Sequence, residues 1–171
     1  MIRALDLRIF VIRPTLRALG LWSEAAENLL LGTAATESRL GTYLVQMSSS
    51  GDGRALGIYQ IEQQTHNSIW ENYIKFRPGI DVKLKCMVPY ARITNDIPDH
   101  NQLITNLEYA TAIARLVYYP HAEKLPDATD IAGLGIYYKR YYNTIKGRGS
   151  VDKFIKDFSD CRCAIDYYIN S

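Results

Sequence analysis

The chain predicts a mainly α domain of about six helices, with one small irregular or β-hairpin insertion after the first long helix. Three observations carry that expectation. Apolar residues recur at helical spacing, most clearly Leu103, Leu107, Ala110, Ala114 and Val117, which step by four, three, four and three. Residues that cap helices stand ahead of such stretches at Ser23, Asp130 and Ser150. Residues 42–56 lack the helical period and hold Ser48-Ser49-Ser50-Gly51-Asp52-Gly53, which is turn chemistry.

The elements follow in order. Residues 1–22 read as an N-terminal lead-in segment, with TLRALGLW after Pro14 forming a short helical turn. Ser23 caps the next helix, and Glu24 and Glu27 occupy its first turn, where the helix dipole favours acids. That helix is expected to reach about Leu40, with Gly41 as the glycine that ends it. A second helix covers Gln63 to Phe76 and stops at Arg77-Pro78, since proline pushes its predecessor out of the α region. Val82 to Ile93 reads as helical, interrupted at Pro89. The stripe from Leu103 to Val117 ends at Pro120. Asp130 heads a helix carrying Ile131, Leu134, Tyr138 and Tyr141, and Ser150 heads the last, with Val151, Phe154, Ile155 and Phe158 inward.

Composition narrows the function classes. With 171 residues, 47% hydrophobic and 22% charged, the chain suits a single domain over 1–171 with a real core. A net charge of +2 gives no basis for a dedicated nucleic-acid binder. The apolar run Ile9-Phe10-Val11-Ile12 is flanked by Arg8 and Arg13, too short for a secretory signal or a membrane span. Synthesis in a cytoplasm is therefore expected. Cys86, Cys161 and Cys163 show neither a disulfide framework nor metal-site spacing, so no metal and no cofactor is expected.

Two stretches carry chemistry. In Gly32-Thr-Ala-Ala-Thr-Glu37-Ser38-Arg39-Leu40-Gly41, a carboxylate arrives where a helix of small and apolar residues gives out. Glu37 is either an ordinary solvated end residue or an acid whose proton is meant to be used. Ala34, Ala35 and Leu40 offer an anion little, and the helix C-terminus disfavours a second negative charge; both hold the proton on to higher pH. Arg39 argues the other way if it turns towards Glu37. In Gly57-Ile58-Tyr59-Gln60-Ile61 a glutamine is enclosed by apolar residues, and a buried amide must be paired. Gln60 either presents that amide to a polar ligand such as a sugar or sits in a core-facing turn and caps the helix near Gln63.

Taken together, Glu37-Ser38 at a helix end and Gly57-Ile58-Tyr59-Gln60-Ile61 some twenty residues on resemble the signature of lysozyme-like lytic transglycosylases, a superfamily that includes goose-type lysozymes. Asn106-Leu-Glu-Tyr-Ala-Thr-Ala-Ile-Ala-Arg-Leu resembles the helix behind the site, and Tyr137-Tyr138-Lys-Arg-Tyr-Tyr142-Asn143-Thr resembles the helix ending in an Ala-Tyr-Asn motif. The fuller pattern is similar to small phage-encoded proteins of this superfamily, commonly virion components.

The resemblance implies a lysozyme-like fold and cleavage of the bond between N-acetylmuramic acid and N-acetylglucosamine in peptidoglycan. Glu37 would be the catalytic acid and base; Ser38 would orient it or bind sugar; Gln60, Tyr59, Tyr138, Tyr142 and Asn143 would line or contact the substrate. Tyr59 stands where the pattern has Met. Tyr138 is favoured over Tyr142 as the tyrosine beside the acid, because Ile131, Leu134 and Tyr138 share a face. The implied partners are glycan strands and other virion or tail proteins, in the virion or the infected host's cytoplasm. Hydrolysis would need a second carboxylate, for which Asp52 is the first candidate and Glu62 the other; transglycosylation, which needs none, is favoured. The alternatives are a hydrolytic endolysin and a virion structural protein that keeps the fold with little or no activity.

Overall fold

The computed structural model describes residues 1–46, 55–143 and 149–169, with 162–169 described by backbone only. The architecture is mainly helical with two small antiparallel hairpins. The helices are α1 Ala4–Asp6, α2 Arg13–Leu19, α3 Glu24–Ser38, α4 Gln63–Asn72, α5 Pro78–Cys86, α6 Gln102–Thr105, α7 Leu107–Tyr118, α8 Ile131–Tyr138 and α9 Val151–Ile169. Strands β1 Ala55–Leu56 and β2 Ile61–Glu62 pair with Ala55 opposite Glu62 and Leu56 opposite Ile61; β3 Ile93–Thr94 and β4 Ile97–Pro98 form the second hairpin. None of the described helices is long and apolar enough to cross a membrane.

At the centre lies α3. Twelve of its fifteen residues are buried, including Leu29, Leu30, Leu31, Ala34 and Ala35, so it is enclosed on nearly every side rather than on one stripe. α7, α8 and α9 pack around it. Small residues make the approach close. A Cβ on Gly32 would stand 2.3 Å from the ring of Phe154, so α9 lies against α3 only because that position has no side chain. Ser23 caps α3 through its Oγ to the Ala26 N–H, Asp130 caps α8 through Gly133, and the Ser150 Oγ accepts from the Lys153 N–H at the head of α9.

Several boundaries differ from those the sequence suggests. The N-terminal segment is not a lead-in with one late turn: it is helical from Ala4 to Leu19, and Leu7, Ile12 and Leu16 are fully buried. Its middle, Leu7–Ile12, is a π-helical stretch in which the Arg13 N–H reaches back five residues to the Arg8 carbonyl. The missing N–H of Pro14 falls at that seam, so the proline is accommodated without ending the helix. α3 stops at Ser38, and Arg39 rather than Gly41 is the left-handed residue that ends it (φ 51°). The Leu40 N–H bonds to the Ala34 carbonyl and the Arg39 N–H to Ala35, so two successive left-handed residues close the helix end. Gln63 to Phe76 is α4 followed by a single 3₁₀ turn, Ile74–Phe76. Asn106 splits the Leu103–Val117 stripe, because its side chain caps α7 through the Tyr109 N–H. Val82–Ile93 is α-helical to Cys86, breaks at Pro89 and resumes as a single 3₁₀ turn, Tyr90–Arg92. The β3–β4 hairpin follows, turning at Asn95 (φ 50°) and Asp96 (φ 67°), two residue types that tolerate the left-handed region.

Glu27 is read from the sequence as a first-turn acid that the helix dipole favours; the structure gives it a larger part. It is only 1% exposed, and four donors converge on it: Arg8 Nη1 at 2.8 Å, Arg13 Nε and Nη2 at 2.9 and 2.8 Å, and Trp22 Nε1 at 2.9 Å. Arg8 also holds Asn28, whose amide donates to the Ala128 carbonyl. Arg8 and Arg13 are five residues apart, one π turn, which brings both guanidinium groups to the same carboxylate. Burial alone would raise the Glu27 pKa, but hydrogen bonds from Arg13, Trp22 and Arg8 together hold it below its ordinary value. Because the folded pKa is depressed, this stabilisation is present above the unfolded value and is lost as pH falls through the folded one. Glu27→Gln leaves Arg8 and Arg13 without their counter-charge and should cost on the order of 3 kcal/mol at pH 7, read as a lowered urea midpoint. The same variant should lose less stability than the parent on acidification to pH 3.

Candidate active site

Glu37 sits on the last turn of α3, where that helix meets the β1–β2 turn and the end of α8. Two neutral donors reach the same carboxyl oxygen: Tyr138 Oη donates to Glu37 Oε1 at 2.6 Å and Asn143 Nδ2 at 3.3 Å. Tyr138 ends α8 and Asn143 ends the π-helical turn Lys139–Asn143 that continues it. In an α-helix residues five apart point to different faces; in a π turn they align. The widened turn thus delivers both donors to one acid. It also resolves the tyrosine question: Tyr138 touches Glu37, whereas the Tyr142 hydroxyl donates to the Tyr59 carbonyl at 2.7 Å. Asn143 Oδ1 accepts from Lys139 Nζ at 2.8 Å, which fixes the sense of the amide and leaves Nδ2 facing the acid. Gly149 makes room for this pair, since a Cβ there would stand 2.2 Å from Tyr138 Oη and 2.8 Å from Asn143 Nδ2.

The β1–β2 turn is Gly57-Ile58-Tyr59-Gln60. Gly57 adopts φ 73°, and a Cβ on it would collide with the Leu103 carbonyl at 1.9 Å, so glycine is required twice over. Gln60 is also left-handed (φ 50°), and both its backbone N–H and its Nε2 donate to the Gly57 carbonyl. Gln60 is half-buried and braces its own turn; it does not cap α4, whose N-cap Glu62 makes no side-chain cap bond. The Gln60 amide oxygen takes no hydrogen bond among the described residues.

Ser38 and Tyr59 have another place than a substrate wall. Ser38 is fully buried; its Oγ donates to the Ile58 carbonyl at 2.6 Å and accepts from the Gly41 N–H at 2.8 Å. It ties the residue after the acid to the middle of the glutamine turn. Tyr59 is also fully buried, with its hydroxyl against Thr111 Oγ1 at 3.1 Å, and burial pushes its phenol far above the ordinary range. Neither has surface to offer a sugar. Tyr142 stacks on Tyr118 at 5.1 Å and acts through the turn it holds. Asp52 lies outside the described residues. Glu62 is exposed and lines a separate groove of about 370 Å³ with Ser68, His121 and Tyr141; Glu37 takes no part in that concavity.

Burial is the largest influence on Glu37 and raises its pKa above the ordinary 4.5 or so. Opposing it are the hydrogen bonds from Tyr138 and Asn143, then the positive charges of Lys153 and Lys139. Arg39 is exposed beyond the helix end and takes no part. Sequence reasoning missed Lys153, Lys139 and Gly149. The two lysines look like solvated helix residues, and the Gly149 constraint exists only once Tyr138 and Asn143 are in place.

A raised folded pKa contributes stability that is fully present below the unfolded value and lost as pH rises through the folded one. Glu37→Gln keeps an acceptor for Tyr138 and removes the ionisation. Its melting temperature should therefore gain on the parent between pH 4 and pH 7, and a difference independent of pH would contradict the assignment. Compared with protein-family models, with curated proteins and with solved structures, the chain finds no match in any of the three.

Proposed function

We propose that the protein cleaves the glycan strands of peptidoglycan as a lytic transglycosylase, with Glu37 serving in turn as acid and base. One observation carries this: a carboxyl at the end of a buried helix, oriented through a single oxygen by Tyr138 and Asn143 and desolvated so that its pKa is raised. That leaves Oε2 as the atom for proton transfer. The residue pattern Glu37-Ser38 and Gly57-Ile58-Tyr59-Gln60 adds support, since Ser38 binds the turn that ends in Gln60 to the acid's own helix end.

The chemistry needs one carboxyl. Protonated Glu37 donates to the glycosidic oxygen as the bond from the muramoyl anomeric carbon breaks, and positive charge develops on that ring. The ionised Glu37 then takes the proton from the ring's own primary hydroxyl. That oxygen closes onto the anomeric carbon, giving a 1,6-anhydro end and returning the proton to Glu37. No water enters, and internal attack gains from proximity what a second carboxylate would otherwise supply. Tyr138 and Asn143 donate to the carboxyl in both states and favour the anion, which eases the first transfer. The setting we infer is a phage protein acting on the cell wall from the virion or from within the infected host.

A second proposal, a virion structural protein with little activity, draws on the burial of Ser38 and Tyr59, which makes those motif residues fold determinants. Mass spectrometry of muropeptides after digestion of purified peptidoglycan separates the cases. Anhydro ends are expected from the parent, with a loss of about 10²–10⁴-fold in rate for Glu37→Gln. Reducing ends would indicate hydrolysis. No release by the parent would favour the structural role, and release that survives Glu37→Gln would remove Glu37 from the chemistry.

A further inference from the structure

The end of α3 leaves carbonyls that no helical N–H reaches, and each one finds a partner. Ala34 and Ala35 accept from the Leu40 and Arg39 N–H groups, Glu37 from Tyr43 Oη, and Ser38 from the Thr42 N–H. Thr36 differs: its carbonyl accepts from Lys153 Nζ at 2.6 Å, a charged donor arriving from the first turn of α9. The same ammonium pairs with Asp157 Oδ2 at 2.6 Å, one turn further along α9. Lys153 makes no direct ion pair with Glu37. A cation is thus fixed at the negative end of the helix that bears the acid, one residue before it, without contacting its carboxyl.

We propose that Lys153 is a positioning residue: its ammonium, held on the Thr36 carbonyl, stabilises Glu37 as an anion between proton donation and proton return. Direct pairing would quench the acid outright, as the arginines do for Glu27 at the other end of α3. Placement on the neighbouring carbonyl favours the anion while leaving the carboxyl free to transfer its proton. Asp157 is the counterweight, since its negative charge offsets part of the lysine's influence. The other groups facing Glu37 are Tyr138 from α8, Lys139 and Tyr142 from the π turn, and Tyr118 from α7. Of these only Lys139 is a cation, and it is bound to Asn143. The part played in proton return rests on Glu37 being the acid and base; the electrostatic coupling does not.

The test is an NMR titration of the Glu37 side-chain carboxyl in the full chain labelled with ¹³C-glutamate, assigned by difference from Glu37→Gln. Lys153→Met should move the midpoint up by about 0.5 pH unit or more, and Lys153→Arg should restore it to within about 0.2 unit. Asp157→Asn breaks the same ion pair yet should move the midpoint down. That opposition of sign is what structural loosening cannot produce, since losing the pair alone would shift both variants alike. Equal midpoints in parent and Lys153→Met, or Lys153→Met and Asp157→Asn moving together, overturn the proposal. Should Lys153→Met fail to fold, Asp157→Asn decides alone: a midpoint that does not fall refutes it. If the protein releases anhydro muropeptides, the alkaline limb of its pH profile should follow the NMR midpoint across the variants. A limb that stays put while the midpoint moves overturns the part played in proton return. Midpoints that move as stated in a chain that releases nothing support the coupling and count against the enzymatic function.

Discussion

A helix enclosed on nearly every side must supply partners to the carboxylates it buries, and α3 has one towards each end, Glu27 and Glu37, while Glu24 at its first residue stays exposed. The chain meets both with the same backbone device. At the N-terminal end, Arg8 and Arg13 stand five residues apart across a π-helical stretch and grip Glu27 together. At the C-terminal end, Tyr138 and Asn143 stand five residues apart across another and grip Glu37. A π turn is less favourable than an α turn and survives where the side chains it aligns need to meet one target. The chemical difference is in what arrives. Two guanidinium groups make Glu27 a permanent anion and a structural tie. A phenol and an amide leave Glu37 neutral or ionised according to its surroundings, which is the property an acid in use requires.

The buried tyrosines follow from the same enclosure. Around α3 the interior needs large apolar surfaces, yet the buried Thr33, Thr111 and the Tyr59 carbonyl also need partners. A tyrosine supplies both, ring and hydroxyl. Tyr118 bonds Thr33, Tyr59 bonds Thr111, and Tyr142 bonds the Tyr59 carbonyl. The stacked rings of Tyr118, Tyr142, Tyr138 and Phe154 form a wall beside the acid. That wall removes water from Glu37, and so raises its pKa, while one hydroxyl of the set orients it. A second polar knot, in which the Tyr109 hydroxyl sits 2.7 Å from His66 Nε2 and accepts from Trp70 Nε1, joins α4 to α7 in the same manner.

What was legible in the sequence was whatever depends on local spacing. Ser23, Asp130 and Ser150 cap helices because a short polar side chain ahead of an apolar period has one favourable use. Glu37 stood out because its neighbours could not solvate it, and the Gly57–Gln60 stretch because a turn there had to hide apolar side chains. Residues whose place is set by distant partners were misjudged. Arg8 and Arg13 looked like flanks of a short apolar run, since nothing local says that they converge on Glu27. Arg39 ends α3 at the expense of Gly41 because Ser38 is pinned to Ile58, twenty residues on. The resemblance offered Ser38 to orient the acid or bind sugar and Tyr59 to line the substrate, whereas both are buried and their hydroxyls bond inside the protein. Local chemistry singled out Glu37; only packing could say which of its neighbours touch it.

The opposing influences on Glu37 are the last link between fold and chemistry. For the acid and base proposed at Glu37, either extreme would serve badly. Burial without donors would lock the proton on, and a direct ion pair, as at Glu27, would lock it off. Around Glu37 the two tendencies come from different groups: desolvation from the buried rings, and anion stabilisation from the Tyr138 hydroxyl, the Asn143 amide and the charges of Lys153 and Lys139. Because they are separate, each can be altered without unmaking the other. Removing a hydroxyl from the wall changes the donors while keeping the ring, and replacing a lysine on α9 changes the field while keeping the wall. A site built this way sets the proton affinity of one carboxyl through the docking of α8 and α9 on α3, so the stability of those two interfaces and the poise of the acid are a single property of the fold.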